Sequence, residues 1–394
     1  MSESPRAQIN GKILQWARET AGFDIEDAAR NVRVRPERLQ EWEDGGSYPT
    51  VKCLRKLAKK YMRPIGLFFL PELPQDPERI RDFRRIADIA QEEMTPALRF
   101  EIRLAWERRE EAIDLGSSLG EELAGLSRVS LRNDADAVAS DLRERLGVSL
   151  DEQRRWRTKW EAFSAWRGAI EKLGILVFQT GVFRNLVVAP QEARGFSIAE
   201  EPFPVIVVNG KDHPSAKCFT LVHELTHVLL RDGGICDLHD SWQPPSHIDR
   251  AEVFCNRVAG AVLVPQEALL REAIVQNHGE SATWSDDELA ELSRKFWVSW
   301  EVILRRLLIV RRTTRQFYEE WRSNRPDGYP GSEAETSTAE IKIPVPTRVV
   351  IRNGKLFPRM VLRALRERII TAYEASVILR AGPHRLTDVE SAVY

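Results

Sequence analysis

Apolar residues recur at helical spacing in short segments near the start of the chain. Between residues 10 and 70, caps and helix breakers separate these segments often enough to predict five helices in a small all-α module. Asp24 and Thr50 are the predicted N-caps of two of them, because their side-chain oxygens can accept hydrogen bonds from the first turn. A proline-spaced connector then leads into a predicted helical stretch over about residues 94–147.

The spacing changes after about residue 174, where short β-branched segments begin. ILVFQ, NLVVA, RGFSIA and PFPVIVVN are punctuated by Pro, Gly and Asn, which predicts a small antiparallel sheet. Helical spacing returns in CFTLVHELTHVLL and DRAEVFCNRVAGAVLVP, and two further helices follow, with Ser299 as the N-cap of the second. In the tail, Asn353 and Gly354 give a hairpin signal, and two helices follow it.

Composition excludes several classes of protein. With 394 residues, 43% of them hydrophobic, the chain is long enough for several folded domains and too apolar to be wholly disordered. Its 58 Lys and Arg against 59 Asp and Glu give a net charge of −1, so it has no bulk positive field. Any contact with DNA must therefore come from a local patch.

The cysteines and the hydropathy pattern predict a cytoplasmic protein with no membrane partner. Four cysteines lie far apart without a C-x-x-C pair, so we expect neither a disulfide framework nor a thiolate zinc cluster, and a reducing compartment. The N-terminal segment is polar, and no run reaches the roughly 18 apolar residues that a membrane-spanning helix needs.

One motif points to metal chemistry. His223, Glu224 and His227 form an H-E-x-x-H pattern in a helical segment that is otherwise apolar. Imidazoles at i and i+4 lie one turn apart on the same helix face, within reach of a single zinc ion. Glu224 is rotated from that face, so it can take a proton from a water that zinc activates, as amide hydrolysis requires. The alternative, two surface histidines, is disfavoured because unmatched polar groups are costly in an apolar helix.

A catalytic zinc needs a third protein ligand beside an open position. Glu252, on the next predicted helix, is the leading candidate because a helical hairpin would return it to the histidine pair. Spacing alone does not separate it from residues of the connecting loop, namely His239, Asp240, His247 and Asp249.

Three blocks in order, RGFSIAEEPFPVIVVNG, CFTLVHELTH and EVFCNRVAGAVLVP, resemble those of the ImmA/IrrE metallopeptidases over about residues 160–310. The resemblance implies that Glu252 is the third zinc ligand and Glu224 the general base. It also implies a compact zinc endopeptidase of gluzincin-like layout that cleaves a helix-turn-helix repressor. The sequence departs from the family pattern at three packing positions, Cys255, Val258 and Val264.

The segment DIEDAARNVRVRPERLQEWEDGG, with the following SYPTVKCLRKLA, resembles the XRE-type helix-turn-helix. The resemblance implies a recognition helix that starts near Arg35 and presents Arg35 and Arg38 to a DNA major groove, in a homodimer. Arg33 replaces the usual turn glycine, however, and Glu37 and Glu41 lie on the presumed reading face, where phosphates would repel them. A protein-interaction or dimerisation module is therefore the alternative.

Together these features predict an α+β fold that is mostly α. Its predicted parts are a helix-turn-helix module in residues 1–75, a helical connector in 76–150, a gluzincin-like metallopeptidase domain with a small antiparallel sheet and trailing helix-turn-helix-like helices in 151–325, a linker in 326–346 and a small C-terminal domain in 347–394.

The predicted function is a transcriptional regulator with zinc-dependent endopeptidase activity. It would cleave a helix-turn-helix repressor or another partner protein. The alternative is a non-enzymatic, antitoxin-like DNA-binding repressor whose peptidase fold binds a toxin. The complete H-E-x-x-H motif favours the enzyme, because a pseudo-enzyme would be free to lose Glu224.

Overall fold

The computed structural model describes residues 5–73, 94–121, 125–181, 187–231, 235–236, 247–279, 281–324 and 343–394. The chain divides into two compact units, residues 1–104 and 105–394. Most of the predicted linker, residues 326–342, lies outside the described residues. Within the described ranges, no helix combines the length and hydropathy needed to cross a bilayer.

The first unit is built from short helices. They are α1 (Gly11–Thr20), α2 (Ile25–Val32), α3 (Pro36–Glu43), α4 (Val51–Tyr61) and a 3-10 helix (Ile65–Phe69), and α5 (Pro96–Ser118) begins here and continues into the second unit.

The predicted caps of the first unit are present. The Asp24 side chain accepts a hydrogen bond from the third residue of α2, and the Thr50 hydroxyl accepts one from the third residue of α4. Between α2 and α3, Arg33 adopts a left-handed conformation with φ 61°, which is strained for a residue with a side chain. Arg33 therefore adopts the left-handed conformation for which glycine is usual at this turn.

A buried ion pair joins α1 to α3 in this unit. Arg18 donates two hydrogen bonds to the Glu43 carboxylate, at 2.8 and 2.9 Å, and the Glu43 side chain is fully buried. Hydrogen bonding to Glu43 raises the pKa of Arg18 against the opposing effect of burial. Such a bidentate pair fixes the relative orientation of the two helices.

The second unit carries the remaining helices. They are α6 (Ala135–Leu146), α7 (Leu150–Arg155), α8 (Lys159–Glu171), α9 (Pro214–Leu230), α10 (His247–Leu263), α11 (Gln266–Leu270), α12 (Ala273–Gln276), α13 (Asp286–Phe296), α14 (Trp300–Ile309), α15 (Arg315–Ser323), α16 (Val345–Asn353), α17 (Leu356–Arg366), α18 (Ala372–Leu379) and α19 (Leu386–Val393), with a 3-10 helix at Pro383–Arg385.

One sheet lies in the second unit, with strands β1 (Leu176–Gln179), β2 (Gly195–Ile198), β3 (Val205–Val208) and β4 (Ile235–Cys236) in the order β1-β3-β2-β4. β2 pairs antiparallel with β3 and β4, but β1 pairs parallel with β3. The predicted antiparallel sheet is therefore wrong, and the sheet is mixed. β3 lies between β1 and β2, so the first two strands are not neighbours, and their order in the sheet is set by pairing between segments that lie apart in the sequence.

Helix α9 packs against β2, β3, α8 and α10. Its apolar residues are buried all round, as expected for a helix at the centre of a domain rather than on its surface. Because the H-E-x-x-H motif lies in this helix, its polar side chains are held in the protein interior.

The predicted hairpin at Asn353 and Gly354 is wrong, because Asn353 ends α16 and Gly354 begins the short turn to α17. Gly354 has φ 70°, and a Cβ atom there would lie 1.7 Å from Glu171 Oε1. Glu171, at the end of α8, accepts hydrogen bonds from the Lys355 backbone N–H at 3.0 and 3.1 Å. The glycine thus lets the turn pass over a buried carboxylate. The C-terminal helices also pack on the sheet, with Phe357 edge-on to Phe178.

Candidate metal centre

Helix α9 presents the H-E-x-x-H motif in its last two turns. The helix begins at Pro214, which suits a first position because the missing N–H would be unpaired there, and the His213 side chain accepts from the Ser215 N–H. It ends at Leu230, because the C-cap residue Arg231 adopts a left-handed conformation. His223 and Glu224 are 0% exposed and His227 is 4% exposed.

Glu252 on α10 meets the two histidines. Its carboxylate oxygens each lie 3.2 Å from an imidazole Nε2, Oε2 from that of His223 and Oε1 from that of His227. The two Nε2 atoms are 3.1 Å apart. One possible ligand atom from each of the three residues therefore lies within 4.8 Å of the others.

The spacing of these atoms fits a small tetrahedral cation. Zinc binds imidazole nitrogen and carboxylate oxygen at roughly 2.0 to 2.2 Å, which separates neighbouring ligand atoms by about 3.4 Å. The observed separations of 3.1 and 3.2 Å are close to that value. Two imidazoles and one carboxylate form a donor set known from catalytic zinc sites, which keep a further position open. His223, His227 and Glu252 could thus hold a divalent metal.

The electrostatics of Glu252 suit a ligand. Burial favours a raised pKa for its carboxyl, but hydrogen bonds with His223 and His227 outweigh burial and hold the pKa well below its usual range. The carboxylate is therefore ionised, as metal binding requires.

The Glu224 carboxylate lies against β2, where a Cβ atom at Gly195 would be 3.3 Å from its Oε1. Burial raises the pKa of this carboxyl, whereas the nearby His227, His223 and Ser197 side chains lower it. Ser197 is a fully buried polar residue on β2. A buried carboxylate with a raised pKa is a stronger base than one in water, which suits proton transfer.

Gly195, also on β2, leaves room for Glu224. A Cβ atom at this position would lie 2.5 Å from Thr220 Cγ2, 2.9 Å from the Val207 carbonyl oxygen and 3.3 Å from Glu224 Oε1. The absence of a side chain therefore allows the strand to approach α9 at the turn that carries the motif.

Cys255 lies one turn beyond Glu252 on α10 and is fully buried. Burial raises the pKa of its thiol, and a hydrogen bond with His227 opposes that rise. The sequence interpretation assigned this departure from the family pattern to packing. The structure shows that Cys255 also contacts one of the paired histidines, and so helps to orient that ring.

The other candidates for the third ligand were four residues of the predicted connecting loop. His239 and Asp240 lie outside the described residues, and for His247 and Asp249 the structure describes the backbone alone. Glu252 is favoured as the third ligand by its own position beside His223 and His227.

The predicted DNA-binding residues belong to the first unit. Arg35 is the N-cap residue of α3 and is exposed. Arg38 forms an ion pair with Glu41 one turn away, and the same Glu41 oxygen accepts from the Ser47 hydroxyl at 3.2 Å. The positive charge of Arg38 is thus partly neutralised within the helix that was predicted to read DNA.

Sequence reasoning did not single out Gly195 and Ser197. Both lie in the segment RGFSIA, in a strand whose residues are all buried. A serine and a glycine within a fully buried strand could have indicated a close approach of another group, since buried strands otherwise consist of apolar residues. Their partner, Glu224, follows only from the three-dimensional packing of β2 on α9.

Comparison with known proteins supports a metallopeptidase domain. Residues 170–308 match the family Peptidase_M78, described as the IrrE N-terminal-like domain. Over 97 residues, which are 24% of its length, the chain is 34% identical to the radiation response metalloprotease IrrE of Deinococcus deserti. Over the same number of residues it is 30% identical to the radiation response metalloprotease IrrE of Deinococcus radiodurans. The matched stretch covers 32% and 28% of those relatives, so the chain spans only about a third of their length.

Proposed function

We propose that the second unit is a zinc-dependent endopeptidase in which His223, His227 and Glu252 hold the metal and Glu224 is the general base. The observation that carries this proposal is the convergence of the three donor groups beside a buried carboxylate. Zinc bound there would supply a Lewis acid that polarises the scissile carbonyl and makes water more acidic.

The residues of the chain would perform the proton transfers. The Glu224 carboxylate takes a proton from the attacking water as the carbon–oxygen bond forms, and delivers it to the amine nitrogen as the peptide bond breaks. Its burial favours this role because it raises the pKa of the group. Gly195 leaves the space that the carboxylate occupies, because a Cβ atom there would lie 3.3 Å from Glu224 Oε1.

We propose a protein substrate, namely a helix-turn-helix repressor or another partner protein, and a cytoplasmic role in transcription regulation. The support is the resemblance to ImmA/IrrE peptidases and to relatives named as radiation response metalloproteases. The antitoxin-like alternative is not favoured, because these relatives are named for protease activity. The matched stretch covers the metallopeptidase part alone, so substrate and regulation rest on the resemblance.

We also propose that the first unit binds DNA as a homodimer. The observation that favours this function is a pair of helices, α2 and α3, joined by a short left-handed turn at Arg33. Ala28 and Ala29 are fully buried in α2, and small residues there allow the helices to approach closely.

The test is metal analysis of the purified full-length protein, followed by incubation with candidate repressors. We expect about one zinc per chain and cleavage that a chelator abolishes and added zinc restores, since the metal is part of the site. Cleavage at an unchanged rate after complete removal of the metal would overturn the proposed mechanism.

A further inference from the structure

A cationic cleft lies along α4 in the first unit. It has a volume of about 580 Å³ and is lined by Pro5, Val51 and four basic side chains. The four basic residues are all exposed and lie on one face of the helix at i, i+3, i+4 and i+7; they are Lys52, Arg55, Lys56 and Lys59. We refer to these four residues as the α4 cations.

The α4 cations carry charge that nothing in the described part of the chain compensates. None of them forms an ion pair with a described residue, in contrast to Arg18 and Arg38 of the same unit, which pair with Glu43 and Glu41. Residues 51–61 contain no acidic side chain. Because like charges at this helical spacing repel one another, an anion bound in the cleft would relieve the repulsion.

We propose that this cleft binds the phosphate backbone of duplex DNA. The proposal rests on the proposed DNA-binding function and assigns it a surface other than the predicted recognition helix. Lys52 and Lys59 are seven residue steps apart, about 10 Å along the helix axis at roughly 1.5 Å per residue. With α4 parallel to the duplex axis, that length covers about three phosphate steps of one DNA strand, whose axial rise is roughly 3.4 Å per phosphate.

The lining of the cleft favours duplex DNA over other polyanions. Among the residues that the structure describes, no aromatic ring lines it, and proteins that bind single-stranded nucleic acid need such rings for stacking bases. Its apolar lining consists of Pro5 and Val51, so it offers no large aromatic or aliphatic side chain for insertion into a membrane surface. Charge without stacking or insertion is typical of contacts to the duplex backbone.

The α4 cations also explain how the unit could hold DNA although its predicted reading face is weakly basic. On α3, Arg38 is paired with Glu41, and Glu37 is exposed on the same helix. On α4 four cations act together. Backbone contacts of this kind position a protein on DNA and leave sequence reading to other side chains, such as Arg35.

The experiment measures binding of the full-length protein to a fluorescein-labelled random-sequence duplex by anisotropy across a salt series. The test variant carries K52Q, R55Q, K56Q and K59Q. A charge-matched control carries R145Q, R271Q, R294Q and R315Q, four exposed arginines of the second unit. A third variant carries R35A and R38A. Circular dichroism checks that each protein is folded.

We expect the test variant to lower the magnitude of the slope of log affinity against log salt by about 3, since each phosphate contact contributes roughly 0.9. The charge-matched control should keep the wild-type slope. An unchanged slope in the test variant overturns the assignment to α4. If only the variant with R35A and R38A loses the slope, the phosphate contacts lie on α3 and the inference is wrong.

Two further outcomes separate this inference from the functions proposed above. If the wild type binds polyglutamate or phosphatidylserine vesicles through the α4 cations more tightly than duplex DNA, the cleft is a protein or membrane site and the inference is wrong. If the wild type shows no salt-dependent affinity for the duplex, DNA binding by the first unit fails as well. Neither outcome affects zinc content or peptide cleavage, which test the peptidase separately.

Discussion

Gly195 lies directly against the Glu224 carboxylate, so that a Cβ atom on the strand residue would be 3.3 Å from Glu224 Oε1. The same Cβ atom would be only 2.5 Å from Thr220 Cγ2. The strand β2 and the helix α9 can therefore reach their observed separation only because position 195 has no side chain. The packing of β2 on α9 therefore also determines where the proposed general base lies.

The first prediction follows from that contact. Gly195→Ala should destabilise the protein by about 1 to 3 kcal/mol, as overpacking of a close-packed core does, and should slow cleavage because β2 moves away from Glu224. Gly168→Ala is the control: Gly168 lies within α8, and a Cβ atom there would meet nothing within 4 Å. It should stabilise the helix by roughly 0.5 to 1 kcal/mol. Urea unfolding of both variants measures the difference, and equal stabilities would contradict the packing account.

The second prediction concerns the metal ligands. His227→Ala should lose the metal, because the remaining imidazole and carboxylate leave the site with too few ligands. His239→Ala and His247→Ala should keep wild-type metal content, which elemental analysis of dialysed protein measures. Full occupancy in His227→Ala, together with loss in either loop variant, would show that the ligand assignment is wrong.

The third prediction concerns pH and the buried Lys217. Its ammonium donates to the Gly210 carbonyl at 2.9 Å, and burial lowers the pKa of Lys217 to about 8 from an ordinary value of 10.5. Between these values the unfolded chain binds more protons than the folded one, so stability should rise as pH increases from about 8 to 10.5.

The rise in stability that Lys217 causes between pH 8 and 10.5 has an upper limit. A difference of this size between folded and unfolded pKa corresponds to roughly 3 kcal/mol at most. Lys217→Met, which keeps the length of the side chain without its charge, should lack this rise. Denaturant unfolding of both proteins from pH 7 to about 10 measures it, and parallel pH profiles would contradict the assignment.

The fourth prediction concerns the turn between α16 and α17. Gly354→Ala places a side chain on a backbone with φ 70° and ψ −160°, which is essentially restricted to glycine, and puts a Cβ atom 1.7 Å from Glu171 Oε1. Gly147→Ala needs only the αL conformation, with φ 64° and ψ 23°, and its Cβ atom meets nothing within 4 Å. We expect Gly147→Ala to cost about 1 kcal/mol and Gly354→Ala clearly more, since a buried carboxylate must also move. Thermal unfolding compares them, and similar costs would mean that the turn can shift without disturbing Glu171.

Features encoded within a few residues could be predicted from the sequence. Asp24, Thr50 and Ser299 cap their helices as predicted, because a cap requires only a side-chain oxygen and the backbone N–H groups of the next turn. The i, i+4 spacing of His223 and His227 likewise places both rings on one helix face. The proximity of Glu252 needed the resemblance as well, since spacing alone left the loop residues open.

Features that depend on distant partners could not be predicted. The pairing direction of β1 depends on β3 lying between it and β2, and no local pattern records that order. Asn353-Gly354 indicates only a residue with positive φ, which a hairpin and a turn between helices both use. Its role depends on Glu171, far away in sequence.

The central claim is that Glu224 accepts a proton during hydrolysis, and Glu224→Gln tests it most directly. The substitution removes the proton acceptor, keeps the size of the side chain and leaves His223, His227 and Glu252 in place. Glu267→Gln, at a side chain that is 83% exposed on α11, is the matched control.

The decisive measurement is the cleavage rate of zinc-loaded Glu224→Gln with the same protein substrate as the wild type. We expect it to bind about one zinc per chain, to fold normally and to cleave roughly 10²-fold more slowly or worse, as loss of general-base catalysis implies, while Glu267→Gln cleaves at the wild-type rate. A zinc-loaded Glu224→Gln protein that cleaves as fast as the wild type would contradict the account.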